Sequence, residues 1–273
     1  MVFAISIFFI VSLWTNFSIL FYNFLKKIIK LSSENKSIFF LSSSLGFITL
    51  FGFISSINIV FHLIGITFIY TYLLIPIIIC IVFFNWQNVQ YFYSILSYKL
   101  MNLYKNSLIN SDKFINSLVI IIAIQTICLF LRFLLPVTHG DALSQYFYDS
   151  LQISRLNNLS IYDFYQIGEY FRTDSLASFY DAFILQISDN WILVRSSRVL
   201  ALILVIFNSI EFAYNLGNIN YKKGVLLAAI ILTLPDVWDI SLSGKHDGYV
   251  LLFELTGIYL MAISVIIKDN YLK

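Results

Sequence analysis

The chain has 273 residues, 59% of them hydrophobic and 12% charged, with a formal net charge of +2. Soluble domains are roughly 45–50% apolar and about 25% charged, so a water-soluble fold is excluded and a polytopic membrane protein is indicated. The near-neutral charge gives no basis for nucleic-acid binding, and Cys80 and Cys128, both inside apolar runs, do not form a disulfide framework.

Apolar stretches of about 20 residues are long enough to cross roughly 30 Å of hydrocarbon as helices. The sequence predicts spans at Val2–Leu25, Ile38–Val60, Leu63–Phe84, Phe114–Leu135, Ile192–Leu216, Val225–Ile240 and Tyr249–Ile267. The first lacks a basic n-region and a following Ala-x-Ala site, which marks a retained helix rather than a cleaved signal. The sixth is interrupted by Pro235 and Asp236 and is expected to be short or kinked. The expected fold is therefore all-α, with about seven transmembrane helices.

Lysines set the orientation. Lys26, Lys27, Lys30 and Lys36 follow the first span; Lys99, Lys105 and Lys113 separate the third from the fourth. Lys222 and Lys223 separate the fifth from the sixth, and Lys268 and Lys273 follow the last. All of these fall on one side, leaving Lys245 alone on the other. The positive-inside rule makes the lysine-rich side cytoplasmic, with the N-terminus outside and the C-terminus inside. A bacterial inner or plasma membrane is the expected location. Most of the acids, among them Asp141, Asp149, Asp181 and Asp247, fall on the outer side.

Residues 137–191 form the one long external loop. Within it Leu176, Phe179, Tyr180, Phe183, Ile184 and Ile187 recur at helical spacing, with Thr173 or Asp174 placed as an N-cap. Leu143, Phe147 and Leu151 mark a second amphipathic helix ending near Asn157. Two placements fit these juxtamembrane helices: flat in the interface plane, or packed on the outer ends of the spans. In both they roof a cavity. His62, Glu211 and Glu254 are isolated polar residues expected to serve helix packing or an interface rather than chemistry.

Two polar motifs flank apolar runs. Pro136-Val137-Thr138-His139-Gly140-Asp141-Ala142-Leu143 follows the fourth span, and Ser243-Gly244-Lys245-His246-Asp247-Gly248 precedes the seventh. With the external loop between them, these motifs resemble those of the GT-C integral-membrane glycosyltransferases. That superfamily includes protein O-mannosyltransferases, lipid A aminoarabinose transferases and the bacterial Rgt-like enzymes. The resemblance covers about Leu131 to Ala262. It divides the chain into an N-terminal three-helix extension with its cytoplasmic loop (1–113) and a GT-C-like core (114–273). It departs from the superfamily in having three spans before the helix leading to Asp141, and in ending soon after the second motif. An N-terminal portion of a longer enzyme is expected on that ground.

The resemblance implies transfer of a sugar, with inversion, from a polyprenyl-phosphate donor to a lipid, glycan or protein acceptor. Such chemistry needs a base for the acceptor hydroxyl and a cation for the leaving phosphate. Asp141 is the candidate base, or else the N-cap of the helix that follows it. Asp247 is a supporting acid, or the cap of the seventh span. Lys245 and Arg198 are candidates for the donor phosphate, since an arginine within a span calls for a partner. Arg195, nearer the end of the same span, is expected to snorkel to the headgroups. No cofactor is assigned; a divalent metal held by His139 and His246 with the two acids is the one option. The alternatives are a transporter or flippase of lipid-linked sugars, and a non-catalytic membrane subunit. No phosphate-binding loop, dinucleotide fingerprint or nucleophile elbow is present.

Overall fold

Proline removes a backbone donor and breaks helix interiors. The chain has three, Pro76, Pro136 and Pro235, and none lies within a described helix. A computed structural model describes residues 2–29, 38–65, 85–108, 113–133, 147–155, 175–216, 221–234 and 247–271. Among these the chain is all-helical: α1 (Val2–Ile29), α2 (Phe39–Ile64), α3 (Trp86–Leu108), α4 (Lys113–Phe133) and α5 (Phe147–Arg155) are followed by α6 (Ser175–Ser188), α7 (Trp191–Leu216), α8 (Tyr221–Thr233) and α9 (Asp247–Tyr271).

Three segments, Phe39–Ile64, Trp191–Ala213 and Gly248–Val265, are long and apolar enough to cross a membrane, which makes this a membrane protein. Lys113–Cys128, Leu176–Ser188 and Gly224–Thr233 are shorter apolar helices. The sixth expected span is short, ending at Thr233 just before Leu234-Pro235. Most of the third, residues 66–84, lies outside the described residues. Helix α3 was not expected. Val89 and Phe92, one turn apart, are buried, and Phe92 packs edge-on against Trp14 at 5.2 Å.

The packing fixes relative directions. Leu25 near the end of α1 and Ile38 and Leu41 at the start of α2 share a cluster with Tyr259 and Ile263, late in α9. Phe212, late in α7, joins it. Helices α1, α7 and α9 thus run together and α2 runs against them. Helix α8 also opposes α7, since Gly224 meets Ile210 while Leu232 clusters with Leu202. Lys26 and Lys27, ending α1, and Lys222 and Lys223, beginning α8, accordingly belong to the same end of the bundle. The principal core draws Ile10, Leu13 and Trp14 of α1 and Phe47, Leu50 and Phe51 of α2 together with Tyr180, Ile184, Val194, Leu204 and Tyr249. It therefore unites both halves of the chain.

Contacts between apolar helices that lack a water-driven hydrophobic force rely on close approach and hydrogen bonds. A Cβ at Gly46 would lie 2.6 Å from the Ser18 backbone nitrogen, so glycine is what lets α2 touch α1. Trp14 Nε1 adds a 2.9 Å bond to the Ser43 carbonyl. The parallel helices α7 and α9 are joined by Ser197–Tyr249, Asn208–Thr256 and Asn215–Tyr259 bonds along their length. Buried Ser42, Ser43, Ser44 and Ser55 each donate to the carbonyl one turn back, so these hydroxyls are satisfied within α2.

A helix start leaves backbone N–H groups without intrahelical partners. The residue before α2, Ile38, offers no capping side chain. Glu211 of α7 supplies the acceptor instead: its Oε2 takes the Leu41 N–H at 2.8 Å, and Glu211 is 4% exposed. This is a packing role, as expected. Glu211→Ala should lower stability by about 1–3 kcal/mol by leaving that N–H unsatisfied. Glu211→Gln, which keeps an acceptor oxygen, should lose less. Thermal unfolding in detergent of the two variants beside wild type measures the difference.

Candidate functional site

The site begins with a tight joint. Helix α6 stops where Asp189 takes a left-handed conformation (φ 48°) and its N–H bonds the Leu185 carbonyl at 2.7 Å. Asn190 then caps α7, its Oδ1 accepting the Ile192 N–H at 2.8 Å. This joint turns α6 back against α7 and brings Asp181 to Arg198. The guanidinium donates through Nη2 to Asp181 Oδ2. Asp181 is 0% exposed and Arg198 3%. From α9, Tyr249 OH lies 3.3 Å from Asp181 Oδ1 and 2.6 Å from Ser197 Oγ.

Proton counting orders this network. Ser197 Oγ also sits 2.7 Å from the Val194 carbonyl, so two hydroxyl protons face three contacts. The carboxylate is the strongest acceptor among them. The Val194 carbonyl can only accept, so Ser197 donates to it, and Tyr249 turns its single proton toward Asp181 Oδ1 and Ser197 Oγ. An aromatic collar surrounds the group: Phe51 lies 4.8 Å from the Tyr180 ring and 4.9 Å from Tyr249, with Phe47 beyond. Excluding water strengthens each charge interaction inside and raises the cost of leaving a charge unpaired.

Of the residues singled out from sequence, Arg198 lies in this network. Asp247 is the first residue of α9, a short step before Tyr249, so the start of α9 sits at the level of Arg198. Asp141, His139, Lys245 and His246 lie outside the described residues. Arg195, expected to snorkel to the headgroups, lies one turn before Arg198 on α7 and is 9% exposed. Among the described residues no group of three His, Cys, Asp or Glu side chains could hold a metal.

Asp181 was missed. Its helix was read as amphipathic, which assigned the aspartate to the polar face. That face also carries Ala177, Ser178, Ala182 and Leu185, all buried. A helix of small and apolar residues all round is an interior helix, and this was the available signal. Helix α6 therefore packs among the bundle helices rather than lying in the interface plane. Asn58 Nδ2 donates to the Phe179 carbonyl at 2.7 Å. His62, fully buried, sets one ring nitrogen 2.8 Å from the Asn58 carbonyl and the other 2.9 Å from the Ile153 carbonyl of α5. His62 thus serves packing, as expected.

Among the described residues the chain is an all-helical membrane protein with an Arg198–Asp181 pair buried between its helices. No family model, curated protein or solved structure matches the chain.

Two outcomes follow from this geometry. Asp181→Ala leaves the Arg198 charge buried without its carboxylate and should destabilise by about 3–5 kcal/mol, whereas Asp181→Leu combined with Arg198→Met should recover most of that loss. Chemical unfolding of single and double variants in detergent reads the coupling. On α5, burial pushes the Asp149 carboxyl up from 3.8 to about 6. The unfolded chain releases this proton at lower pH than the folded chain does, so stability should fall as pH rises through that interval and level off above it. Asp149→Asn should flatten the profile in a melting series across the same range.

Proposed function

We propose that the chain is a polytopic membrane glycosyltransferase of the GT-C kind. It transfers a sugar from a polyprenyl-phosphate donor, with inversion, to a lipid, glycan or protein acceptor on the outer face. About seven spans, with the N-terminus outside and the lysine-rich end cytoplasmic, give the topology this requires. Asp141 removes the proton from the acceptor hydroxyl as its oxygen attacks the anomeric carbon, and the lipid phosphate departs from the opposite side. Lys245 and Arg198 meet the phosphate charge. Asp247 orients the acceptor, and His139 and His246 offer nitrogen ligands should a divalent metal join the two acids.

The observation that carries the reading is the position of Asp247 at the start of α9, one residue removed from the tyrosine that bonds the carboxylate paired with Arg198. A motif acid and a buried guanidinium thus occupy one level of the bundle, away from the clustered lysines that end α1 and begin α8. The closure of Arg198 by Asp181 favours a second reading, a non-catalytic membrane subunit in which this network only holds helices together.

The discriminating experiment supplies membranes carrying the full chain with polyprenyl-phosphate sugars and follows transfer. Wild type should transfer, and Asp141→Asn should reduce the rate by about 100-fold or more while inserting normally. An Asp141→Asn variant with the wild-type rate removes Asp141 as the base. A wild-type chain inert towards every donor supports the subunit reading.

A further inference from the structure

Helix α9 opens on a turn with few ties of its own. Its first residues are Asp247, Gly248, Tyr249 and Val250. Glycine gives up more backbone freedom on entering a helix than any other residue. Gly248 brings no side chain to a neighbour, and a Cβ there would meet nothing within 4 Å. Val250 is exposed, whereas Tyr249 is 1% exposed. Among the described residues, the next polar tie between α9 and α7 is Thr256 with Asn208, seven residues on. The first turn therefore depends on Tyr249.

Ring and hydroxyl contribute differently. The Tyr249 ring lies 4.9 Å from that of Phe51 and 5.9 Å from that of Tyr180, contacts that a phenylalanine would keep. Apolar burial is non-directional, so this packing tolerates a small slide or rotation. The hydroxyl lies 2.6 Å from Ser197 Oγ and 3.3 Å from Asp181 Oδ1. Ser197 is held by the Val194 carbonyl and Asp181 by Arg198, so both partners are stationary. Hydrogen bonds weaken steeply away from good distance and angle, so these two contacts set the depth and rotation of the turn. Asp247 stands two residues earlier, about 3 Å along the helix axis. We propose that the Tyr249 hydroxyl positions Asp247, anchoring the start of α9 on Ser197 and Asp181 so that the motif acid keeps one depth beside the turn of α7 that carries Arg198. The consequence for catalysis rests on the transferase reading; the anchoring does not.

Two measurements on the full chain in lipid bilayers test this. In the first, Cys80 and Cys128 are replaced by serine, and spin labels at Asp247→Cys and at exposed Phe24→Cys of α1 report a distance distribution. Tyr249→Phe should broaden it by about twofold, while a control pair at Phe24 and exposed Val60 of α2 keeps its width. An unchanged distribution overturns the proposal, and so does a control pair that broadens alike. In the second, transfer from a polyprenyl-phosphate sugar is followed. Tyr249→Phe should lower kcat about tenfold with the donor KM unchanged, since a small misplacement is costly to catalysis. In an Asp247→Asn chain the same substitution should change the rate by less than about twofold, because its effect passes through Asp247. An equal fall in both backgrounds marks a merely structural role and overturns the proposal. A wild-type chain that transfers nothing counts against the transferase reading alone, and the spin-label distances still decide the anchor.

Discussion

The buried pair of Arg198 and Asp181 constrains the rest of the molecule, because neither charge tolerates the interior without the other. Satisfying it requires α6 to turn back against α7 with one particular rotation, and the joint at Asp189 and Asn190 gives the chain that turn. Rotation of α6 by one residue would aim Asp181 away from Arg198 and leave both unpaired. Tyr249 then ties α9, more than one helix further along the chain, to the same carboxylate, so α6, α7 and α9 share one polar centre. The apolar core around it, Phe47, Phe51 and Tyr180, supplies packing and excludes water but has no direction of its own. Register comes from the polar centre.

The same reasoning extends to the ends of α2. Away from water, backbone groups at a helix end need protein partners, and here those partners come from remote elements. Glu211 of α7 serves the start. At the other end Asn58 and His62 reach out to carbonyls of α6 and α5. Each contact both satisfies a polar group and fixes where a neighbouring helix sits. Helix α2 thereby acts as the spine against which α1, α6, α7 and α9 are registered.

Much of the helical framework was legible because apolar length is a local signal. The starts of α1, α2, α4 and α7 lie within a residue or so of their expected positions, and the interruption by Pro235 foretold a short α8. The need for a partner to Arg198 was legible from the cost of burying a charge. The identity of that partner was not, since Asp181 and Arg198 meet only after the joint has folded back, and no spacing rule covers a contact made through a turn. Helix α3 was overlooked because its polar residues outweigh an apolar stripe set by Val89 and Phe92. The motif residues Asp141, His139, Lys245 and His246 were chosen from short patterns, and they lie outside the described residues.

The way α6 is held also limits how Arg198 could ever meet an anion. At its C-terminal end α6 is bound to α7 by a joint with its own hydrogen bonds, so that end moves only with α7. At its N-terminal half the attachments run through Asn58 and through α5, which His62 in turn secures. Ala177, Phe179, Tyr180 and Ala182 of that half are also buried in the apolar clusters, so both ends of α6 are fixed and Asp181 is held on the guanidinium. An anion can meet Arg198 only in competition with that carboxylate, at the cost of breaking a buried pair.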